Sequence, residues 1–233
     1  MMYKIQSNRI WEIDFLRGIA IILMMIFHFL FDLSNFYNIK IPLWNNFWYY
    51  EGKLSAILFI ILSGISSNLS KNNFKRGIKI LGIGLFLTIS SFLIMPSKYI
   101  RFGILHLLGT SMILYHFLNG LSLNLIFFLS IIVIILGIIF DFIIVDTYFF
   151  IPLGLIHNNF ISMDYYPILP WFGVFLFGTI LGKLFYKEKK SIFHKNYSND
   201  FLCFIGRHSL FIYLIHQPVF LIFLELTNSL FPL

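Results

Sequence analysis

The chain has 233 residues, of which 59% are hydrophobic and 12% charged, and its mean hydropathy is +0.86. Apolar runs pass about 18 residues, which excludes a soluble globular class and predicts an all-α polytopic membrane bundle, with residues 1–233 as one domain. The net charge of +7 does not indicate nucleic acid, because the basic residues lie mostly in short loops where they set topology; the lone Cys203 excludes an internal disulfide and a multi-cysteine centre, and no metal spacing is present.

Seven spans are predicted. The first, Ile13–Phe36, is longer than a signal-peptide core and Arg17 interrupts its start, so it reads as a retained span. Asp14, Arg17, His28 and Asp32 are the ionisable groups inside it, at offsets 0, 3, 14 and 18. At roughly 100° per residue they fall on one helix face, within about 60° of each other. Arg17 and His28 are about 16 Å apart along the axis. Charged groups within a span are costly and normally face a bundle interior, where they mark a functional path. Asp32, one turn beyond His28, is placed to accept one ring N–H and orient the other nitrogen as a base or nucleophile.

Residues 37–53 form an aromatic loop with Trp44, Trp48, Tyr49 and Tyr50, read either as an interface anchor or as a lid over an outward site. The second span, Leu54–Leu69, carries Ser63, Gly64, Ser66 and Ser67, small enough for close helix approach. The third, Gly77–Met95, is preceded by Arg76 and carries Lys79. The fourth, Phe102–Leu118, holds His106, a candidate neighbour of His28 or a polar interhelical contact. The fifth, Leu121–Ile144, is the most apolar and is expected to face lipid. Residues 145–169 include His157, Asp164, Tyr165 and Tyr166. Asp164 and Trp171 flank Tyr-Tyr-Pro-Ile-Leu-Pro, and Asp164 either binds a polar acceptor or caps a turn. The sixth span is Pro170–Tyr186 and the seventh Phe201–Leu224. In the seventh, Pro218 frees the carbonyl of Leu214, so His216 serves either the helix or the chemistry.

Of the 17 Lys and Arg residues, only Lys40, Lys53, Lys98 and Arg101 fall on one side. All others, Lys4 and Lys195 included, fall on the side of the N-terminus, which is therefore expected in the cytoplasm of a multi-pass cell-membrane protein. Arg17, Arg76, Lys79, Arg207 and His208 all lie at cytoplasmic span ends. Singly they read as topology anchors; together they suit a polyphosphate ligand, because guanidinium forks match phosphate oxygens.

The first span, Ile-Asp-Phe-Leu-Arg-Gly-Ile-Ala-Ile-Ile-Leu-Met-Met-Ile-Phe-His, resembles the opening of the transmembrane acyltransferases, in which an Arg is followed after ten residues by a His, as Arg17 is by His28. Three further segments extend the likeness: Phe102-Gly-Ile-Leu-His106, Asp164-Tyr-Tyr-Pro-Ile-Leu-Pro-Trp-Phe-Gly173 and Gly206-Arg-His-Ser-Leu-Phe-Ile-Tyr-Leu-Ile-His-Gln-Pro218. Together they resemble the small prokaryotic branch of the heparan-α-glucosaminide N-acetyltransferase catalytic-domain family, over nearly the whole chain. In the animal members of that family the position matching His28 is Asn and the reactive His lies in the first outer loop. Residues 37–53 contain no His, so that nucleophile is not carried over, and His28 matches the O-acylating branch instead.

The resemblance implies transfer of an acyl group, usually acetyl, from cytosolic acyl-CoA to an extracytoplasmic sugar amine or hydroxyl. The expected catalytic residues are His28, Asp32 and His106. Arg17, Arg76, Lys79 and Arg207 are expected at the acyl-CoA phosphates. Asp14, Asp164, Trp171 and His216 are expected at the acceptor or in structural polar roles. No bound cofactor or metal is expected; the partners are acyl-CoA, a glycan or other small acceptor and the bilayer, with no nucleic acid, and a homo-oligomer stays open. A rival reading is a small proton-coupled transporter or channel using the same His/Asp stripe as a relay. It lacks the internal repeat with paired broken helices that many transporters show. A third is a structural partner of another envelope enzyme.

Overall fold

The computed structural model describes residues 9–37, 39–43, 46–194, 197 and 200–230; Lys4, Trp44 and Lys195 lie outside the described residues. Among these residues eight α-helices follow in order: α1 (Trp11–Phe36), α2 (Phe47–Leu69), α3 (Asn73–Ile94), α4 (Ile104–Leu118), α5 (Leu123–Phe140), α6 (Ile168–Phe185), α7 (Phe201–Arg207) and α8 (Ser209–Leu230). A short 3-10 turn at Ile151–Leu153 precedes α6. Among the described residues there is no strand, only isolated bridges joining Phe102 to Tyr165 and Ile144 to Ile156. Among the described residues six helices are long and apolar enough to cross a membrane, and Ile104–Leu118 is a shorter apolar one. The protein is an all-helical, multi-pass membrane bundle.

Local chemistry sets several helix starts. Asn72 caps α3 by accepting from Lys75 N at 2.9 Å, and Asp200 caps α7 by accepting from Leu202 N at 2.8 Å, each satisfying a backbone donor that the first turn leaves free. Two boundaries depart from expectation. First, α2 begins at Phe47 rather than near Leu54, so Glu51 and Lys53 lie in a helix rather than in a loop. The polar Tyr-Tyr-Glu-Gly-Lys run hides a helix that extends past its apolar stretch. Second, the seventh span is broken at His208. There the backbone N–H bonds to the carbonyls of Phe204 and Ile205, and the ring Nδ1 lies 2.9 Å from the Phe204 carbonyl. Side-chain competition for helix carbonyls of this kind bends or interrupts a helix.

The chain divides into two compact units, Met1–Leu62 with Glu188–Leu233, and Ser63–Lys187. In the first unit α7 and α8 pack along α1. A Cβ at Gly206 would land on the Asp14 carbonyl oxygen, and one at Gly18 on the Leu202 carbonyl oxygen, so α1 and α7 meet backbone to backbone. Further up, His28 stacks against His216 and Phe29 against Phe220. Residue number rises together on both helices, so α1 and α8 run parallel. Ser55 donates to the Ala20 carbonyl at 2.8 Å and ties α2 to α1. Buried Glu12 accepts from Ser191 Oγ at 2.9 Å and Ile192 N at 2.8 Å.

Seven spans are expected, and among the described residues six helices are long and apolar enough to cross. The fourth, α4, has 15 residues and at about 1.5 Å per residue is short of a full bilayer core.

In the second unit α3 packs on α4 and α5 on α6. Asn68 accepts from Tyr115 Oη at 2.6 Å and donates to the Thr179 carbonyl at 2.8 Å, joining the ends of α2, α4 and α6. Ser130 Oγ donates to the Gly173 carbonyl at 2.8 Å, linking α5 to α6.

The α1–α7 contact leaves no room for a side chain. Gly206→Ala is expected to lower stability by at least about 2 kcal/mol through overpacking against backbone, whereas Gly82→Ala, which meets open space, should stay within about 0.5 kcal/mol of wild type. Unfolding of the two purified variants in detergent checks the contrast.

Candidate active site

The α1 stripe resolves into two polar layers. At the foot of the helix, buried Asp14 accepts from Arg17 Nη1 at 3.0 Å and faces Arg9 Nη1 at 3.9 Å. Arg207, from α7, also acts on it electrostatically. Arg9, Arg17 and Arg207 thus share the foot of α1 with Asp14, and the carboxylates of Glu12 and Asp200 belong to the same charged region. Arg76 and Lys79 belong to the second unit. Arg76 is half-buried and donates one long bond, 3.5 Å, to the Ser66 carbonyl. Among the described residues it has no acidic partner. Lys79 is exposed.

The upper layer holds His28, Asp32, His216 and Gln217. The His28 and His216 rings lie 5.0 Å apart, centroid to centroid, edge to face. His216 Nδ1 lies 2.6 Å from the Tyr213 carbonyl. A carbonyl only accepts, so Nδ1 carries the proton and Nε2 keeps its lone pair. Nε2 is buried and has no hydrogen-bond partner. The expectation that a polar group here would repair the Leu214 carbonyl freed by Pro218 is thus met differently, because the ring reaches the Tyr213 carbonyl instead.

Asp32 is fully buried, at 0% exposure. Its oxygens accept from Gln217 Nε2 at 2.7 and 2.9 Å. The carboxylate is therefore held by Gln217 and not, as expected, by the ring of His28. Gln217 follows His216 on α8, so the amide arrives in the layer where Asp32 needs a donor. Sequence reasoning quoted Gln217 within a motif but gave it no role. The available signal was an amide inside an apolar span, which must find a partner there.

His106 and Asp164 sit in the second unit, with partners of their own. Gly103 N donates to His106 Nδ1 at 3.2 Å, so the ring proton is on Nε2, which lies 3.1 Å from Thr88 Oγ1. Both nitrogens are engaged, and the expected second base serves here as a helix cap. Asp164 Oδ2 accepts from Ile104 N at 2.9 Å. Of its two expected roles it fills the capping one, at the start of α4. Gly103 is what lets it approach, since a Cβ there would collide with the carboxylate. Trp171 packs edge-on against Tyr166 at 5.2 Å. Burial, with the Asp164 charge adding to it, pushes the Tyr166 phenol above its ordinary range, so it stays neutral.

Glu51 also escaped the sequence reading. It is 7% exposed, and both carboxylate oxygens are buried without a hydrogen-bond partner. Among the described residues no group of three or more His, Cys, Asp or Glu is arranged to hold a metal.

Gln217→Leu is expected to cost about 2–3 kcal/mol, because it leaves the Asp32 carboxylate buried without its donor. In an Asp32→Leu background, which removes the acceptor, the same change should cost under about 1 kcal/mol. A double-mutant cycle of unfolding free energies in detergent checks this coupling; additive effects would contradict the pairing.

The family model for heparan-alpha-glucosaminide N-acetyltransferase, catalytic, matches residues 9–218. No curated protein and no solved structure matches the chain. The matched stretch opens at Arg9, beside the lower charged layer, and closes at Pro218, just past Gln217. The chain belongs to the heparan-α-glucosaminide N-acetyltransferase catalytic-domain family of membrane transferases.

Proposed function

We propose that the protein transfers an acyl group, acetyl in the simplest case, from cytosolic acyl-CoA to the hydroxyl or amine of an extracytoplasmic carbohydrate or other small acceptor. Its N-terminus is cytoplasmic and it works in the cell membrane, with acyl-CoA as substrate and no resident cofactor. Family membership favours a transferase over the transporter reading. The observation that carries the mechanism is the imidazole pair of α1 and α8. His28 and His216 stack within a membrane-spanning region, and a buried ring nitrogen of His216 keeps a free lone pair.

In this reading the donor's phosphates meet the guanidinium groups of Arg17 and Arg207 at the foot of α1. Arg76 and Lys79 are donor-binding candidates of the second unit. The thioester lies further along α1, at the level of His28. The acceptor's O–H or N–H attacks the thioester carbonyl, and its proton passes to His28. The C–S bond breaks, CoA leaves as a thiolate, and the imidazolium returns the proton to that sulfur. His216 is a positioning residue that packs against His28, and Asp32 with Gln217 fixes the layer. Direct transfer is preferred to an acyl-imidazole because a neutral imidazole can act as base without a covalent stage. His106 is left out of the chemistry because both of its nitrogens are occupied.

A ligand that binds the folded state raises apparent stability. Acetyl-CoA is expected to raise the unfolding temperature of the detergent-purified protein, with about tenfold weaker apparent affinity in Arg17→Ala. His28→Ala should keep that shift yet lower thiol release from acetyl-CoA, in membranes that contain the acceptor, by about 100-fold or more. Full activity in folded His28→Ala would remove the base assignment. A missing acetyl-CoA shift in well-folded protein would remove the donor.

A further inference from the structure

The second unit carries a group of residues that the transfer reaction does not use. Residues 98–102 are zipped to residues 162–166: Met163 N donates to the Lys98 carbonyl at 3.0 Å and Tyr166 N to the Phe102 carbonyl at 2.8 Å. Between them Arg101 N donates to Ser162 Oγ at 3.2 Å, and Ser162 Oγ donates to the Asp164 carbonyl at 2.8 Å. The backbone of Arg101 is thus fixed. Its guanidinium carbon lies 4.6 Å from the ring centre of Tyr99 and 5.6 Å from those of Tyr148 and Phe160. Stacking of this kind shelters the charge but does not use the in-plane N–H donors. Arg101 Nε is buried without a partner. Among the described residues the guanidinium has no ion pair.

His157 approaches the same two rings, 4.6 Å from Tyr148 and 6.0 Å from Phe160. Asn159 N donates to His157 Nδ1 at 3.2 Å, so the ring proton is on Nε2. That Nε2–H is also buried and also unpartnered. Arg101 and His157 therefore offer a fixed positive charge and two buried donors, and among the described residues neither donor finds an acceptor. A buried donor left without an acceptor costs the whole desolvation of the group, so the arrangement is complete only when something brings oxygen lone pairs. Guanidinium forks bind oxyanions in plane, and the faces of Tyr148, 60% exposed, and Phe160 give the non-polar side of a small ligand a surface to pack on.

We propose that Arg101 and His157, walled by Tyr99, Tyr148 and Phe160, form a binding site for the oxyanion of a small polar ligand, a carboxylate or a phosphate carried on a sugar-sized frame. On the proposed reaction this ligand is the acceptor, and only that last assignment rests on that reading.

The test uses the full chain in lipid nanodiscs at matched ionic strength. Thermal unfolding is followed with glucose 6-phosphate, glucuronate, inorganic phosphate and, as the neutral control, glucose. At least one anionic probe is expected to give a saturable rise in unfolding temperature, with no rise for glucose. A stronger response to glucose 6-phosphate assigns a phosphate ligand; a stronger response to glucuronate assigns a carboxylate. Arg101→Gln should weaken the apparent affinity at least tenfold and His157→Gln about threefold, while the response to acetyl-CoA stays as in wild type. If Arg101→Gln fails to unfold cooperatively, His157→Gln and Tyr148→Ala carry the comparison. Cooperatively unfolding wild type with no saturable response to any anion overturns the site, as does an anion response that all folded variants share. The wild-type acetyl-CoA response tests the donor separately, so the two proposals can fail independently.

Discussion

The contact between α1 and α7 at Gly18 and Gly206 fixes more than a helix crossing. Because backbone meets backbone there, α7 cannot slide along α1 without driving a carbonyl into a Cα. Beyond the break at His208, α8 lies beside α1 in a register fixed by its own contacts, with His216 against His28 and Gln217 donating to Asp32. In a bilayer the apolar effect does not choose between helix faces, since lipid is as apolar as leucine. Close packing of small residues and satisfaction of buried polar groups must decide, and in the first unit both point to the same register.

The polar groups divide into those the protein satisfies and those it does not. Asp14, Asp32, His106, Asp164 and Asn68 each have partners on the chain, and the last four join separate segments or hold a helix end. Among the described residues, His216 Nε2, Glu51, His157 Nε2, Arg101 Nε and Gln217 Oε1 have none, and neither do single atoms of Trp11, Asn73 and Ser111. An unmet polar atom is expensive in a membrane protein, and that cost is the physical reason for seeking the proposed chemistry and recognition among these groups rather than among the satisfied set.

Composition and apolar run length made the class legible, and the Arg17–His28 spacing made the α1 stripe legible, because one helix face needs only a periodicity. The partner of each stripe residue was not legible. A helical wheel shows which way Asp32 points but not which residue of another helix waits there, and Gln217 and His28 were equally available to it on paper. The break at His208 was hidden for a similar reason. Gly-Arg-His-Ser contains no proline, and the ring's bond to the Phe204 carbonyl exists only once the turn has formed. Glu51 was misplaced because a polar run at a span edge reads as loop unless something buries it. Asp164 could be given its capping role in kind, but the helix it caps starts sixty positions earlier in the chain.

The two buried histidines show how helix position decides chemistry for one residue type. His106 stands three residues after the cap of α4, where backbone N–H groups lack partners. Its Nδ1 therefore accepts, the proton is forced to Nε2, and Thr88 takes up that remaining atom. His216 stands within α8, where the only nearby backbone groups with spare capacity are carbonyls. Its Nδ1 therefore donates to Tyr213, and Nε2 is left basic, buried and facing no donor. A helix start thus engages both imidazole nitrogens of His106, whereas the helix interior leaves Nε2 of His216 with its lone pair free beside His28. That difference is the ground on which the proposed chemistry is placed at the α1–α8 pair and not at His106.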